Sequence, residues 1–187
     1  MSVSRNGTHE RFGPGESTVQ PIEHYEALLY SRRKLQDWVR ELTPERYTQE
    51  FPFGHKSVRG TLAHLASAEW LIGKVVRGEE FSRGNHPFTE ASYPDYASLE
   101  TGWRHLEAST RAWLEAEKEW TRRIEKITNL PGGKRVQVAY TPEKLAFHMF
   151  YHEVHHRAQV MAMLRHMGLS VENLDFSRHA YEWTELE

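Results

Sequence analysis

Four stretches of the chain repeat apolar residues at intervals of three or four positions. This spacing places the apolar side chains on one face of an α-helix and leaves charged residues on the other. The predicted helices cover residues 21–42, 58–77, 95–127 and 141–167. Four amphipathic helices can bury their apolar faces against one another, so the pattern predicts an all-α four-helix bundle.

Capping and turn residues lie where the predicted helices begin and end. Ser57 is the expected N-cap of the second helix, and Thr141-Pro142 begins the last helix. Residues 129–140 contain Pro-Gly-Gly and then apolar residues at alternate positions, which predicts a short extended or hairpin insert before the last helix. Residues 79–94 form an irregular link, in which three aromatic residues are expected to be packing anchors without a site role: Phe81, Phe88 and Tyr93.

The length of 187 residues fits a single domain. Six Trp, eight Tyr and eight Phe provide ample apolar material for one core. Residues 1–18 are rich in Gly, Ser, Thr and charged residues and are predicted to form a flexible N-terminal arm, so residues 19–187 make up the bundle domain. Residues 169–187 follow the last helix and are expected to pack on the bundle through Leu174, Phe176, Tyr181 and Trp183.

The charge balance and the residue content exclude several classes of protein. With 24 Lys and Arg against 26 Asp and Glu, the chain lacks the basic excess of a nucleic-acid-binding protein, so no nucleic-acid partner is expected. It has no cysteine, which excludes disulfides, thiolate metal ligands and a catalytic thiol of its own. Neither a signal peptide nor a run of roughly 18 apolar residues is present, which predicts a cytoplasmic protein without a membrane partner.

The last predicted helix carries His152 and His156 on its apolar face. Because each residue turns the helix by about 100°, both imidazoles are expected to point into the bundle. Two neutral imidazoles one turn apart can bind the same divalent ion. Alternatively, the two rings simply form hydrogen bonds across the core, since a chain with twelve His contains some such pair by chance. His64, on the inward face of the second helix, is the best candidate for a third ligand.

Three neighbouring residues are candidates for supporting these histidines. His148 and His155 lie at the edge of the same helical face and are expected to bond to a ligand or to lie at the surface. Glu153 completes a literal H-E-x-x-H pattern, in which it would be the general base of a zinc peptidase. Such a peptidase needs an active-site sheet that the sequence does not predict. An ion pair, a bond to another helix or contact with a water ligand of the metal is therefore favoured for Glu153.

Two motifs together resemble the DinB/YfiT-like superfamily of four-helix-bundle proteins. They are Thr61-Leu-Ala-His64-Leu-Ala-Ser-Ala-Glu69-Trp70 and His152-Glu-Val-His-His156-Arg-Ala-Gln, followed by Leu164-Arg-His-Met-Gly168 and Leu174-Asp175-Phe176. The resemblance covers about residues 21–183. It implies that His64, His152 and His156 bind a divalent metal, typically nickel or zinc.

Some members of that superfamily transfer a low-molecular-weight thiol such as bacillithiol, mycothiol or glutathione. The resemblance therefore implies a metal-dependent enzyme with a small-molecule substrate, either a thiol S-transferase that uses an external thiol or a hydrolase that activates water. The alternative is a non-catalytic metal-binding or ligand-sensing bundle in which the histidines serve stability. A homodimer formed through an exposed helix face is also expected.

Overall fold

The computed structural model describes residues 20–81, 86–129 and 132–185. Four long helices run through it: α1 (Pro21–Arg40), α3 (Val58–Val76), α4 (Tyr96–Ala116) and α5 (Pro142–His166). The shorter elements are α2 (Pro44–Thr48), β1 (Ile124–Asn129), β2 (Arg135–Tyr140) and α6 (Ser177–Ala180). Both α1 and α3 pack against α4 and α5, so the long helices close into a ring around the core. The predicted four-helix bundle, with a short hairpin before its last helix, is confirmed.

Local capping explains where the helices begin. The Ser57 hydroxyl accepts a hydrogen bond from the backbone N–H of Gly60 at 2.9 Å, and Thr141 accepts one from Lys144 at 3.3 Å. The Asp95 carboxylate caps α4 in the same way, 2.8 Å from the N–H of Ser98. Each cap satisfies a backbone donor that has no partner within its helix. The predicted starts of α3 and α5 are confirmed.

Two apolar clusters fill the bundle, and each long helix contributes residues to both. Between the two clusters, where Arg157 of α5 is also buried, each long helix contributes one charged residue to a hydrogen-bonded set. These four residues are at most 4% exposed, and the guanidinium bonds to all three carboxylates: Arg32, Glu69, Glu107 and Glu153. We call this set the polar layer. It sets the position of the four helices relative to one another along their axes, because a buried charge is tolerated only where it is paired.

The predicted third helix is wrong beyond Ala116. Residues 124–129 form β1, which pairs antiparallel with β2 from Ile124 opposite Tyr140 to Asn129 opposite Arg135. The spacing of apolar residues in this segment imitates a helix, yet Ile127 is 56% exposed and belongs to no core face. A strand depends on backbone bonds to a distant segment, and local periodicity does not report those bonds.

The segment after α5 packs through one of the four residues expected to anchor it. Leu174 is buried in a core cluster. The prediction is wrong for the other three residues, because their side chains are at least half exposed: Phe176, Tyr181 and Trp183. The Trp183 indole N–H instead donates a hydrogen bond to the backbone oxygen of Ser177, so the aromatic residues pack within the terminal segment. The predicted arm at residues 1–18 lies outside the described residues.

Within the described ranges, no helix is both long and apolar enough to cross a membrane.

Candidate metal centre

The structure brings together the three histidines that the sequence singled out. His64 projects from α3, and His152 and His156 project from α5, which packs beside it. The Nε2 atoms of His64 and His152 are 3.0 Å apart. The His156 ring centroid lies 4.4 Å from that of His152 and 4.7 Å from that of His64. Two nitrogens that each lie about 2 Å from a shared ion are separated by about 3 Å, so this spacing suits a common ion.

A fourth histidine, His55, joins the group from the loop before α3. Its ring stacks on His64 with a centroid separation of 3.7 Å. One ligand nitrogen from each of His55, His64 and His156 lies within 4.8 Å of the others. His152 falls outside that triplet despite its contact with His64. We therefore define the histidine cluster as His55, His64, His152 and His156.

The sequence pattern predicts no role for His55, because this residue has no helical spacing relative to the other three histidines. The flanking residues Gly54 and Lys56 adopt positive φ angles of 60° and 66°. A Cβ atom at Gly60 would lie 2.5 Å from the His55 carbonyl oxygen, so the loop approaches α3 closely at a position that requires glycine. Pro52 and Gly54, which precede His55 in the same segment, are local signals of this turn.

Burial keeps the cluster in the uncharged form that binds metals. Desolvation and the neighbouring imidazoles lower the pKa of His64 to about 3 and that of His152 to about 4. Burial also lowers the pKa of His156, and a hydrogen bond to Gln159 partly opposes this shift. Partial desolvation likewise lowers the pKa of His55, whose side chain is exposed, against the influence of Glu90. Neutral imidazoles keep a nitrogen lone pair available to an ion at neutral pH.

Gln159 fixes the orientation of one ring. Its side-chain oxygen lies 2.8 Å from Nδ1 of His156. Because an amide oxygen only accepts, Nδ1 carries the proton and Nε2 keeps the lone pair. The Gln159 amide nitrogen lies 3.0 Å from Nε2 of His155 and donates to it. His155 is thus joined to the cluster through Gln159.

The two other predicted supporting residues face different surroundings. The Glu153 carboxylate is buried in the polar layer, where Arg32 donates to both of its oxygens. His148 lies one turn before His152 on α5, and their ring centroids are 5.7 Å apart in an edge-to-face arrangement. His148 also lines a cavity between α3, α5 and the hairpin. Glu153 therefore faces the bundle interior, and His148 lies between the cluster and this cavity.

The donor set fits a divalent transition metal. Imidazole nitrogen is a ligand for zinc, nickel, copper and iron, whereas magnesium and calcium prefer oxygen. The Nε2 atom of His64 faces the Nε2 atom of His152, and one of the two must carry a proton to make their 3.0 Å hydrogen bond. A bound ion would take the place of that proton.

A helical bundle with clustered, neutral histidines on two neighbouring helices belongs to the class of candidate metal-binding bundles. The sequence profile of the DinB family matches residues 6–185. The chain therefore belongs to the DinB family. A search of curated proteins finds no match to the chain.

Proposed function

We propose that the protein is a metal-dependent enzyme that transfers a low-molecular-weight thiol to a small electrophile. The observation that carries this proposal is the meeting of neutral His64, His152 and His156 where α3 packs against α5. A divalent ion, with nickel or zinc as the first candidates, would lower the pKa of a bound thiol and present its thiolate at neutral pH.

The residues of the chain hold this site and orient it. His64, His152 and His156 supply nitrogen ligands, and Gln159 keeps Nε2 of His156 free of its proton. In the reaction, the thiol sulfur donates an electron pair to an electrophilic carbon and forms a C–S bond. The bond from that carbon to its leaving group breaks, the leaving group departs with the bonding electrons, and the thiol proton passes to water.

The position of Glu153 favours thiol transfer over hydrolysis. A metallohydrolase of the H-E-x-x-H type needs its glutamate as a general base beside the histidines. Here both Glu153 oxygens accept hydrogen bonds from Arg32 in the interior. Thiols ionise far more readily than water, so thiol activation depends less on such a base. The chain has no cysteine, and the reacting thiol would therefore be an external one.

Metal content is the first test of the proposal. Purified protein without an affinity tag should hold about one divalent ion per chain. His64→Ala, His152→Ala and His156→Ala should each lose it while retaining the helical circular-dichroism spectrum. His105→Ala is the matched control, because this exposed residue lies on α4 and should leave the metal content unchanged. Metal-free wild-type protein would overturn the proposal.

Turnover separates the two modes of catalysis from a non-catalytic role. The metal-loaded protein is incubated with 1-chloro-2,4-dinitrobenzene and glutathione, bacillithiol or mycothiol, and in parallel with 4-nitrophenyl acetate without a thiol. We expect metal-dependent formation of the dinitrophenyl thioether, which cannot arise from a protein thiol because the chain has none. Ester hydrolysis without thiol transfer would overturn the proposed transferase and indicate a hydrolase. Bound metal without turnover in any of these assays would indicate a non-catalytic binding or sensing bundle.

The outer face of α5 supports a homodimer as the assembled form. Phe147, Tyr151 and Val154 follow one another at intervals of four and three residues and are 42%, 73% and 47% exposed. Apolar patches of this kind mark interfaces, and one helix face can pair with its copy about a two-fold axis. Light scattering after gel filtration should show a dimer that Tyr151→Lys dissociates and Tyr181→Lys leaves intact. A monomeric wild-type protein would contradict the dimer.

A further inference from the structure

A cavity of about 270 Å³ opens between α3, α5 and the hairpin. Its walls are mostly aliphatic and aromatic side chains. The helices contribute Leu71, Ile72, Val75, Leu145 and His148. The link and the hairpin contribute Phe81, Lys126, Thr128, Val138 and Tyr140. We call this space the hairpin cavity.

The hairpin cavity lies along the same faces of α3 and α5 as the histidine cluster, about two helical turns away. On α3, Leu71 follows His64 by seven residues, which is two helical turns and about 10 Å along the same face. On α5, Leu145 precedes His152 by seven residues and therefore lies on the same face as that histidine. His148 lies midway, touching the His152 ring on one side and lining the cavity on the other. The two helices thus place an apolar space about two turns from the cluster, with His148 between the two.

The hairpin supplies the outer wall through one of its two faces. Lys126 pairs with Val138 across the strands, and both line the cavity, as does Thr128 two residues further along β1. The alternate residue Ile127 is 56% exposed and does not line it. Successive residues of a strand face opposite sides, so the inserted hairpin turns one face to the cavity and the other to solvent.

Phe81 closes the cavity from the link after α3. The ammonium group of Lys126 lies 3.4 Å from the centroid of the Phe81 ring, a cation–π contact that ties the link to the hairpin. The Phe81 ring also packs edge-to-face on Trp70, with centroids 6.1 Å apart. Phe81, expected only to be a packing anchor, therefore joins two walls of the cavity.

We infer that the hairpin cavity binds the apolar part of the substrate and presents its polar, reactive end to the histidine cluster. This inference rests on the proposed function. The cavity lies just below the range of about 300–1,000 Å³ that holds drug-sized ligands, so it suits one aromatic ring or a branched chain of similar size. The substrate class is thus a small electrophile with a single apolar group a few bonds away from its reactive centre.

Two hydroxamates that share a metal-binding head and differ in their apolar tail test the inference. Acetohydroxamate and 4-phenylbutyrohydroxamate are titrated calorimetrically into the metal-loaded protein. 4-Phenylbutyrohydroxamate should bind about tenfold tighter than acetohydroxamate or more, as expected for the burial of one ring. Val138→Asp and the cavity-filling Thr128→Trp should reduce this advantage to about threefold or less. Ile127→Asp, on the outer face of the same hairpin, should retain it.

The metal content of every variant is measured alongside, so the two proposals fail separately. If the proteins hold metal and both hydroxamates bind equally well, the cavity inference is overturned and the metal site stands. If the wild-type protein holds no metal, the proposed function fails. The cavity is then judged with 4-phenylbutanol by ligand-observed NMR. Binding that Val138→Asp abolishes and Ile127→Asp preserves supports the cavity, and any other pattern overturns it.

Discussion

The Nε atom of Arg32 donates a hydrogen bond to the Glu153 carboxylate at 3.1 Å across the interior between α1 and α5. Glu153 follows His152 directly in the sequence, yet its side chain lies in the polar layer rather than in the histidine cluster. Adjacent residues on a helix point about 100° apart, which allows one to face a neighbouring helix and the next to face the core. The H-E-x-x-H pattern in this chain therefore joins a histidine site to a structural ion pair.

Replacing the central cation of the polar layer should strongly destabilise the fold. Arg32→Met leaves the buried carboxylates without the guanidinium that bonds to all three of them, and we expect a loss of about 3–5 kcal/mol in the free energy of unfolding. Urea denaturation measures this loss. Arg111→Met is the control, because Arg111 pairs with Glu26 at the surface and should cost at most about 1 kcal/mol. Equal losses in the two variants would contradict the role of the polar layer.

Neutralising Glu153 should lower stability and leave metal binding intact. Glu153→Gln keeps an oxygen acceptor for Arg32 but removes a buried charge, so we expect a loss of about 1–3 kcal/mol. The folded variant should retain wild-type metal content, because this carboxylate bonds within the polar layer. Glu143→Gln, an exposed change in the first turn of α5, serves as the control. Loss of metal from folded Glu153→Gln would show that the carboxylate acts at the histidines.

Removing the acceptor beside His156 should weaken metal binding without abolishing it. Gln159→Met has a similar length but no oxygen to hold the Nδ1 proton of His156. We expect the affinity for nickel or zinc to fall about 10- to 100-fold, as when other hydrogen-bond partners of metal ligands are removed. Gln159→Glu preserves an acceptor and should restore most of the affinity. Competition with a fluorescent chelator measures both values, and unchanged affinity in Gln159→Met would be inconsistent with this role.

The loop histidine should be less important for metal binding than the helical ones. His55→Phe keeps a ring against His64 but supplies no ligand nitrogen. Three imidazoles on α3 and α5 remain, so the variant should still bind one ion, with an affinity reduced by about tenfold or less. His64→Phe should lose the ion. If His55→Phe loses it as completely, His55 is itself a required ligand and the proposed set is incomplete.

A surface ion pair should make stability depend on pH in the acidic range. Hydrogen bonds from Arg40, opposed by partial burial and aided by Arg104, lower the pKa of Glu100 to about 2. Since the folded-state pKa lies below the unfolded value near 4.5, the stabilisation is complete above pH 4.5 and disappears as the pH falls towards 2. Glu100→Gln should therefore cost about 1 kcal/mol at pH 7 and much less at pH 3.

Denaturation of both proteins across that pH range measures the difference. In an Arg40→Met background the cost of Glu100→Gln should shrink, because Arg40 is the main cause of the low pKa. A cost that stays constant from pH 7 to pH 3 would show that the charge of Glu100 is not responsible.

The four long helices and the caps that begin α3 and α5 were accessible from the sequence, because each is encoded by neighbouring residues. Ser57 and Thr141 cap the helices that follow them, and apolar residues three or four apart mark the buried faces. The four-residue spacing of His152 and His156 likewise places both rings on one side of α5, where they lie 4.4 Å apart. Such features depend only on the geometry of one helix.

The remaining features of the fold and of the site depend on contacts between segments that are distant in the sequence. β1 forms because β2 pairs with it. His55 enters the histidine cluster because the turn before α3 stacks its ring on His64. The hairpin cavity forms between two helices and the inserted hairpin. The polar layer takes one charge from each of four helices, and each charge alone resembles an exposed residue. A short window of sequence contains only one partner of each contact, so burial, pairing and the shape of the site arise when the helices assemble.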